Sequence, residues 1–168
     1  DIVFPLSYTR ILPDKFLNRN NLILVAHPSK LPRDKGFAPI QNQILRNRKK
    51  IYISLIEAVN KVDSGPIVMQ DYFMLKGIEL NDEIRYLQGL KTLNLIKKFL
   101  KKYPKIKYRN QVGKGNFNKR RNPSDSKLNV NQTIKQQFNL LRINDNDLFP
   151  SFFYFKGKKY ILKIFKGD

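Results

Sequence analysis

His27 is the only histidine of the 168-residue chain. It follows the apolar run Leu22–Ala26, at the point where Pro28-Ser29-Lys30-Leu31-Pro32 opens a stretch that continues to Gly36 and Pro39. An imidazole at the end of a buried strand, facing a Pro/Gly loop, occupies the usual ligand crevice of an open α/β sheet. Further along, Asp63 lies in Val62-Asp63-Ser64-Gly65-Pro66-Ile67, a turn leading into another apolar run. Singly, each residue also has a plain structural reading, as a satisfied histidine and as a turn aspartate. Brought together, an imidazole and a carboxylate suit acid–base work or the stabilisation of a developing oxyanion. The chain has no cysteine, so disulfides, thiolate catalysis and cysteine-ligated metals are excluded, and one histidine excludes a multi-histidine metal site.

Charge constrains the partner less sharply. Lys+Arg number 33 against 13 Asp+Glu, a formal net charge of +20. Nucleic acid, nucleotide phosphates and an acidic membrane surface all suit such a chain. The lysines are spread along the sequence, a pattern that a lysine- and asparagine-biased proteome also produces. Hydrophobic residues at 41% and aromatics at 12% suffice for an ordinary core. No apolar run approaches the roughly 20 residues of a membrane helix.

These residues must be positioned by regular elements. The short apolar runs Ile2–Leu6 and Leu22–Ala26 read as strands buried on both faces, with a short helix at Lys15–Leu17 between them. Residues 28–39 read as a loop, and Pro39 opens a helix with Ile40, Ile44 and Leu45 on one face. Strands return at Ile51–Leu55 and Pro66–Phe73, joined through Asn60–Gly65. A long helix runs from about Asp82 to Lys102, with Ile84, Leu87, Leu90, Leu93, Ile96 and Leu100 as its apolar stripe. Lys105–Asn129 reads as an exposed basic loop, in which Gly113-Lys114-Gly115 lacks the strand-and-helix context of a phosphate-binding turn. A short helix with Ile134, Phe138 and Leu141 follows, then a hairpin of Phe152–Phe155 and Tyr160–Phe165. Asp1-Ile-Val-Phe-Pro-Leu reads as the middle of a fold.

In this order, His27-Pro-Ser29-Lys-Leu31-Pro32 with Gly36 and Pro39, then Asp63-Ser-Gly65-Pro-Ile67, resembles the signature of the folate-dependent formyltransferases. That family comprises glycinamide ribonucleotide and methionyl-tRNA formyltransferases and the N-formyltransferases of nucleotide-linked amino sugars. The tail, from Lys119-Arg120-Arg121-Asn122-Pro123-Ser124-Asp125 through Gln137–Arg142 to Pro150–Phe153, is most similar to the amino-sugar branch. Tyr8-Thr9-Arg10-Ile11-Leu12-Pro13 resembles the family segment whose backbone holds the pterin ring.

The resemblance implies an α/β fold: a Rossmann-like, mostly parallel sheet whose first strands precede Asp1, with a basic loop and a C-terminal β-hairpin. Residues 1–104 would be the C-terminal part of the catalytic domain, and 105–168 an acceptor-side subdomain. It implies a cytoplasmic enzyme that moves a formyl group from N10-formyltetrahydrofolate to the amine of a nucleotide-linked amino sugar, without a metal; a homodimer stays open. His27 and Asp63 would be catalytic. Arg10, Ile11, Leu12, Val59, Asn60 and Lys61 would hold the folate, and Lys35, Gly36, Arg120 and Arg121 the acceptor. Methionyl-tRNA is the alternative acceptor, and a non-catalytic nucleic-acid-binding module the alternative of another class. The family's asparagine two residues before the histidine is Val25 here, which cannot donate to an oxyanion; Asn42, Gln43 and Ser29 are the nearby candidates to replace it.

Overall fold

A computed structural model describes residues 1–8 and 10–167. Thr9 of the Tyr8–Pro13 segment lies outside the described residues. In chain order the elements are β1 (Ile2–Val3), α1 (Asp14–Arg19), β2 (Leu22–His27), β3 (Lys35–Gly36), α2 (Pro39–Leu45), β4 (Lys50–Glu57), β5 (Ile67–Met74), α3 (Asn81–Lys102), β6 (Phe117–Asn118), α4 (Ile134–Ile143), β7 (Ser151–Phe155) and β8 (Lys158–Leu162). A 3-10 turn at Pro123–Ser126 precedes α4. The α/β architecture and the terminal hairpin follow the sequence expectation. Lys156 and Gly157 both take positive φ in the hairpin turn, as a two-residue type I′ connection requires.

The central sheet has four strands in the order β1-β2-β4-β5. It is mixed: β1 runs parallel to β2, while β2–β4 and β4–β5 are antiparallel. Residues 58–66 are too few for the crossover that a parallel β4–β5 pair would need, so the chain turns back as a hairpin.

Alternation along β2 divides its side chains between two environments. Leu22 and Leu24 join Ile53, Leu55 and Val68 in a cluster closed by Leu95, Ile96 and Phe99 of α3. Val25 faces the other way, against Leu31, Ile56 and Ile67. His27, two residues on, shares that second face, where no long helix packs and the loops 28–38 and 58–66 can reach it. Ile40 and Ile44 of α2 form a further cluster with Ile51, Leu75, Ile84 and Ile143, which draws α4 onto the same body.

Three helical faces differ from the sequence reading. In α3 the inner line is Ile84, Leu95, Ile96 and Phe99, while Leu90, Leu93 and Leu100 are exposed. At about 100° per residue, Leu93 lies half a turn round the helix from Ile84, because repeated steps of three drift off any one face. The true inner line passes through polar Lys91, whose ammonium pairs with Asp71 of β5 at 3.1 Å. Together with Lys98, whose hydrogen bond at 2.8 Å is the larger influence, it lowers the Asp71 carboxyl to about 2. In α2 the inner pair is Ile40 and Ile44, and Leu45 turns outward. In α4 Ile134 is exposed and Gln137 buried, because the Gln137 amide bonds the backbone of Asn129 and Gln132.

Residues 105–129, read as an exposed loop, hold short pairings with the body. β6 pairs with β3, and Ile67 exchanges backbone hydrogen bonds with Arg109 at 2.7 and 2.9 Å. Gly and Pro spacing could not show this, because each pairing spans only one or two residues.

The α3 register has a direct test. Phe99→Ala should cost about 3–5 kcal/mol in urea unfolding, and Leu93→Ala under about 0.5 kcal/mol. A large loss at Leu93 with little at Phe99 would place the sequence-derived stripe, not this one, against the sheet.

Candidate active site

The mouth of β2 is built from its last residue and two loops. His27 is buried, with Nδ1 3.3 Å from Oδ1 of Asp63 and Nε2 2.8 Å from the backbone oxygen of Asp34. The Asp34 carbonyl is an acceptor, so Nε2 is the protonated nitrogen in that bond, while Nδ1 faces the Asp63 carboxylate. The other Asp63 oxygen, Oδ2, accepts the backbone N–H of Gly36 at 2.8 Å. Asp63 itself sits at φ +51, in the left-handed region that suits a short polar residue better than a bulky one.

Glycines at two points let these loops close. A Cβ on Gly36, at φ +83, would lie 2.6 Å from the Asn118 carbonyl oxygen and 2.7 Å from the Phe117 ring. One on Gly65 would lie 1.8 Å from the Glu57 carbonyl oxygen. The glycines of the signature thus mark close backbone approach.

Beneath the crevice lies a polar cluster that the sequence reading missed. The Asp34 carboxylate is buried and pairs with Arg46 and, at 2.9 Å, with Arg48. It also accepts from Asn116 and Asn118 at 3.3 and 3.4 Å, and the Asp34 N–H donates to Asn116 at 2.9 Å. Burial pushes this carboxyl upward, but the hydrogen bonds from Asn116, Arg46 and Asn118 and the Arg46 charge outweigh it, leaving it below the usual range. A single aspartate in a charged loop gives no sequence signal of burial; its partners come from the turn just after α2 and from residues 116–118.

The proposed replacements for the family asparagine are all engaged. Asn42 Nδ2 donates to the carbonyls of Phe37 and Ala38, Gln43 Nε2 to those of Pro28 and Pro39, and Ser29 Oγ to that of Arg33. Each donor is bound to backbone, so none points a free N–H or O–H at the crevice.

Among the anticipated acceptor-side residues, Gly36 touches Asp63 directly, and Lys35 donates to Ser64 Oγ at 3.1 Å. Burial, then the charge of Lys61, lowers the Lys35 ammonium, and Asp63 opposes them. The Arg120 guanidinium lies 4.8 Å over the Phe37 ring, one residue from Gly36. Arg121 is turned into the fold, donating to the Asp125 carbonyl at 2.9 Å and to Asn144 at 3.4 Å. Of the anticipated folate residues, Arg10, Ile11, Asn60 and Lys61 are exposed, Val59 presents an exposed apolar side chain beside the Asp63 turn, and Leu12 is half-buried.

Because the Asp34 carboxyl is lowered in the folded chain, it stabilises the fold fully above the unfolded carboxylate value near 3.9, and that contribution fades as pH falls below about 4. Asp34→Asn should therefore cost about 2–3 kcal/mol at pH 6, somewhat less than a fully buried pair because both arginine ends are half-exposed. Urea unfolding should show the gap between variant and parent narrowing as pH falls from 6 to 3. A gap constant over that range would remove the charge from the account.

Comparisons with known proteins bear on the family and the fold. The family model described as formyl transferase matches residues 1–85. A methionyl-tRNA formyltransferase of Wolbachia sp. subsp. Drosophila simulans (strain wRi) is 36% identical over 111 residues, covering 60% of this chain and 36% of that protein. Another, of Lactobacillus johnsonii, is 27% identical and covers 99% of this chain and 54% of its own length. The chain thus spans about a third to a half of these curated relatives. The crystal structure of a 4-N formyltransferase from Francisella tularensis overlays with a TM-score of 0.81 at 18% identity, over 98% of this chain and 70% of that one, a likeness of fold. With half of its residues matched by the family model, the chain belongs to the formyl transferase family.

Proposed function

We propose that the protein takes part in formyl transfer from N10-formyltetrahydrofolate to a primary amine, with His27 and Asp63 at the reacting centre. The observation that carries this reading is the His27–Asp63 contact of 3.3 Å at the end of β2, formed by two loops far apart in sequence. The folate would supply the formyl carbon, and the exposed apolar side chains of Val59 and Val62 beside the Asp63 turn offer a surface for its ring.

Attack by the amine forms the new C–N bond, creates negative charge on the formyl oxygen and leaves a proton to be removed; collapse of that adduct breaks the bond from the formyl carbon to N10, which takes up a proton as tetrahydrofolate departs. Asp63, anchored through Oδ2 to the Gly36 N–H, keeps Oδ1 against the imidazole and can take that proton directly or through one water. The His27 ring can stabilise an oxyanion nearby through its Nε2–H. Its Nε2–H already meets the Asp34 carbonyl, so an oxyanion within reach shares that proton with Asp34 in a three-centre bond. Val25 contributes packing at the asparagine position, and the donor set is correspondingly smaller than the family pattern.

We propose a nucleotide-linked amino sugar as the acceptor, with residues 105–168 as the acceptor side. The Arg120 guanidinium over Phe37, next to Gly36, supports this: it sets a fork suited to phosphate oxygens near the Asp63 carboxylate. The names of the curated relatives favour a second acceptor, methionyl-tRNA, which the +20 charge also suits.

In the complete protein, His27→Ala and Asp63→Ala should each lower kcat by about 100-fold or more while the variants stay folded. Unchanged turnover in both would end the assignment. With dTDP- or UDP-amino sugars and Met-tRNA assayed at one salt concentration, transfer is expected to the sugars, and Arg120→Ala should raise their KM. Transfer to tRNA alone would move the acceptor to the second reading.

A further inference from the structure

We propose that Gln111 is the positioning residue of the Asp63–His27 pair, so that the crevice is completed by the segment following α3; this rests on the formyl-transfer reading above. Asp63 must hold φ +51 and at the same time aim one carboxylate oxygen at His27 and the other at the Gly36 N–H. A turn in the left-handed region does not stay there unaided. Gln111 Nε2 supplies the hold, donating to the carbonyl oxygens of Asp63 and Gly65 at 2.8 Å each.

The rest of the side chain shows that placement governs it. Gln111 Oε1 is buried and lacks a hydrogen-bond partner, the one such side-chain atom among the described residues. Turning the amide over would satisfy nothing, because it would set the oxygen against two carbonyls. The two N–H groups on one nitrogen are therefore what the site uses, at the cost of an unpaired acceptor. Delivery is set by backbone: the Ile67–Arg109 exchange pins the chain two residues before Gln111, at the start of the strand that follows the Asp63 turn.

A glutamine that only supported the fold would leave the imidazole untouched, so the deciding readout is the ring itself. The 15N shifts of the His27 ring report which nitrogens carry protons, and they can be read on the folded protein without folate. Gln111→Met keeps the length and removes both donors. It should move the ring shifts in the direction that Asp63→Asn moves them, while Val112→Ala, at an exposed neighbour, leaves them in place. The double variant Asp63→Asn/Gln111→Met should match Asp63→Asn alone. In formyl transfer, Gln111→Met should lower kcat by about 10- to 100-fold, with KM for the formyl donor changed by less than about threefold. Should Gln111→Met fail to fold, Gln111→Asn, which stays polar but lacks the reach, gives the same comparison. Parental ring shifts in a folded Gln111 variant, or additive effects in the double variant, would overturn the proposal. Displaced ring shifts in a protein whose parent forms no formylated product would leave the positioning role standing and defeat the formyl-transfer reading instead.

Discussion

The buried carboxylate of Asp34 is the interaction on which the crevice depends. An uncompensated carboxylate in that position would be intolerable, so its burial is possible only if Arg46, Arg48, Asn116 and Asn118 all arrive. Once they do, three separate pieces of chain are tied at one point: the loop after β2, the turn just after α2, and the short strand β6. The same residue offers its backbone oxygen to His27. The orientation of the imidazole is thereby linked to the charge cluster on the other side of Asp34.

A second feature is the share of the work done by backbone. Gly36 donates its N–H to Asp63, Asp34 offers its carbonyl to His27, and the carbonyls of Asp63 and Gly65 receive Gln111. Main-chain groups cannot rotate away as side chains do, so a site assembled from them is fixed once the loops are fixed. Tight approach is then unavoidable, and the glycines at 36 and 65 stand where a Cβ would meet a carbonyl oxygen. A site of few side chains held in a constant relation suits the direct attack of the proposed formyl transfer.

By register the β4–β5 turn leaves the sheet beside Leu24 and Val25, and its loop folds back along the Val25 face so that Asp63 reaches His27 at the far end of β2. α3 covers the opposite face with Leu95, Ile96 and Phe99, and its Lys91 and Lys98 grip Asp71 from above. The sheet is thus anchored on one side and left open to loops on the other, which is where ligands can enter.

Much of this was legible in the residues themselves. Apolar runs bounded by turn-formers located β2, β4 and β5, and the Pro39 start and the basic last turn located α2 and α3, because those signals are local. The His27 and Asp63 motifs picked out two residues that the fold does bring together, and the glycines beside them mark close backbone approach. The inner line of α3 was not legible: a lysine stands on it and leucines stand off it, and only Asp71 on another strand explains why. Asp34, Gln111 and the engaged donors of Asn42, Gln43 and Ser29 were equally hidden. Their roles are set by partners that lie far away along the chain, as with Asp34 and Asn118, and burial of a polar group leaves no mark on sequence until the group that satisfies it has been found. Sequence determined which elements form and which residues could react; tertiary structure alone decided which polar groups are shut away together, because that choice depends on desolvation and pairing across the fold.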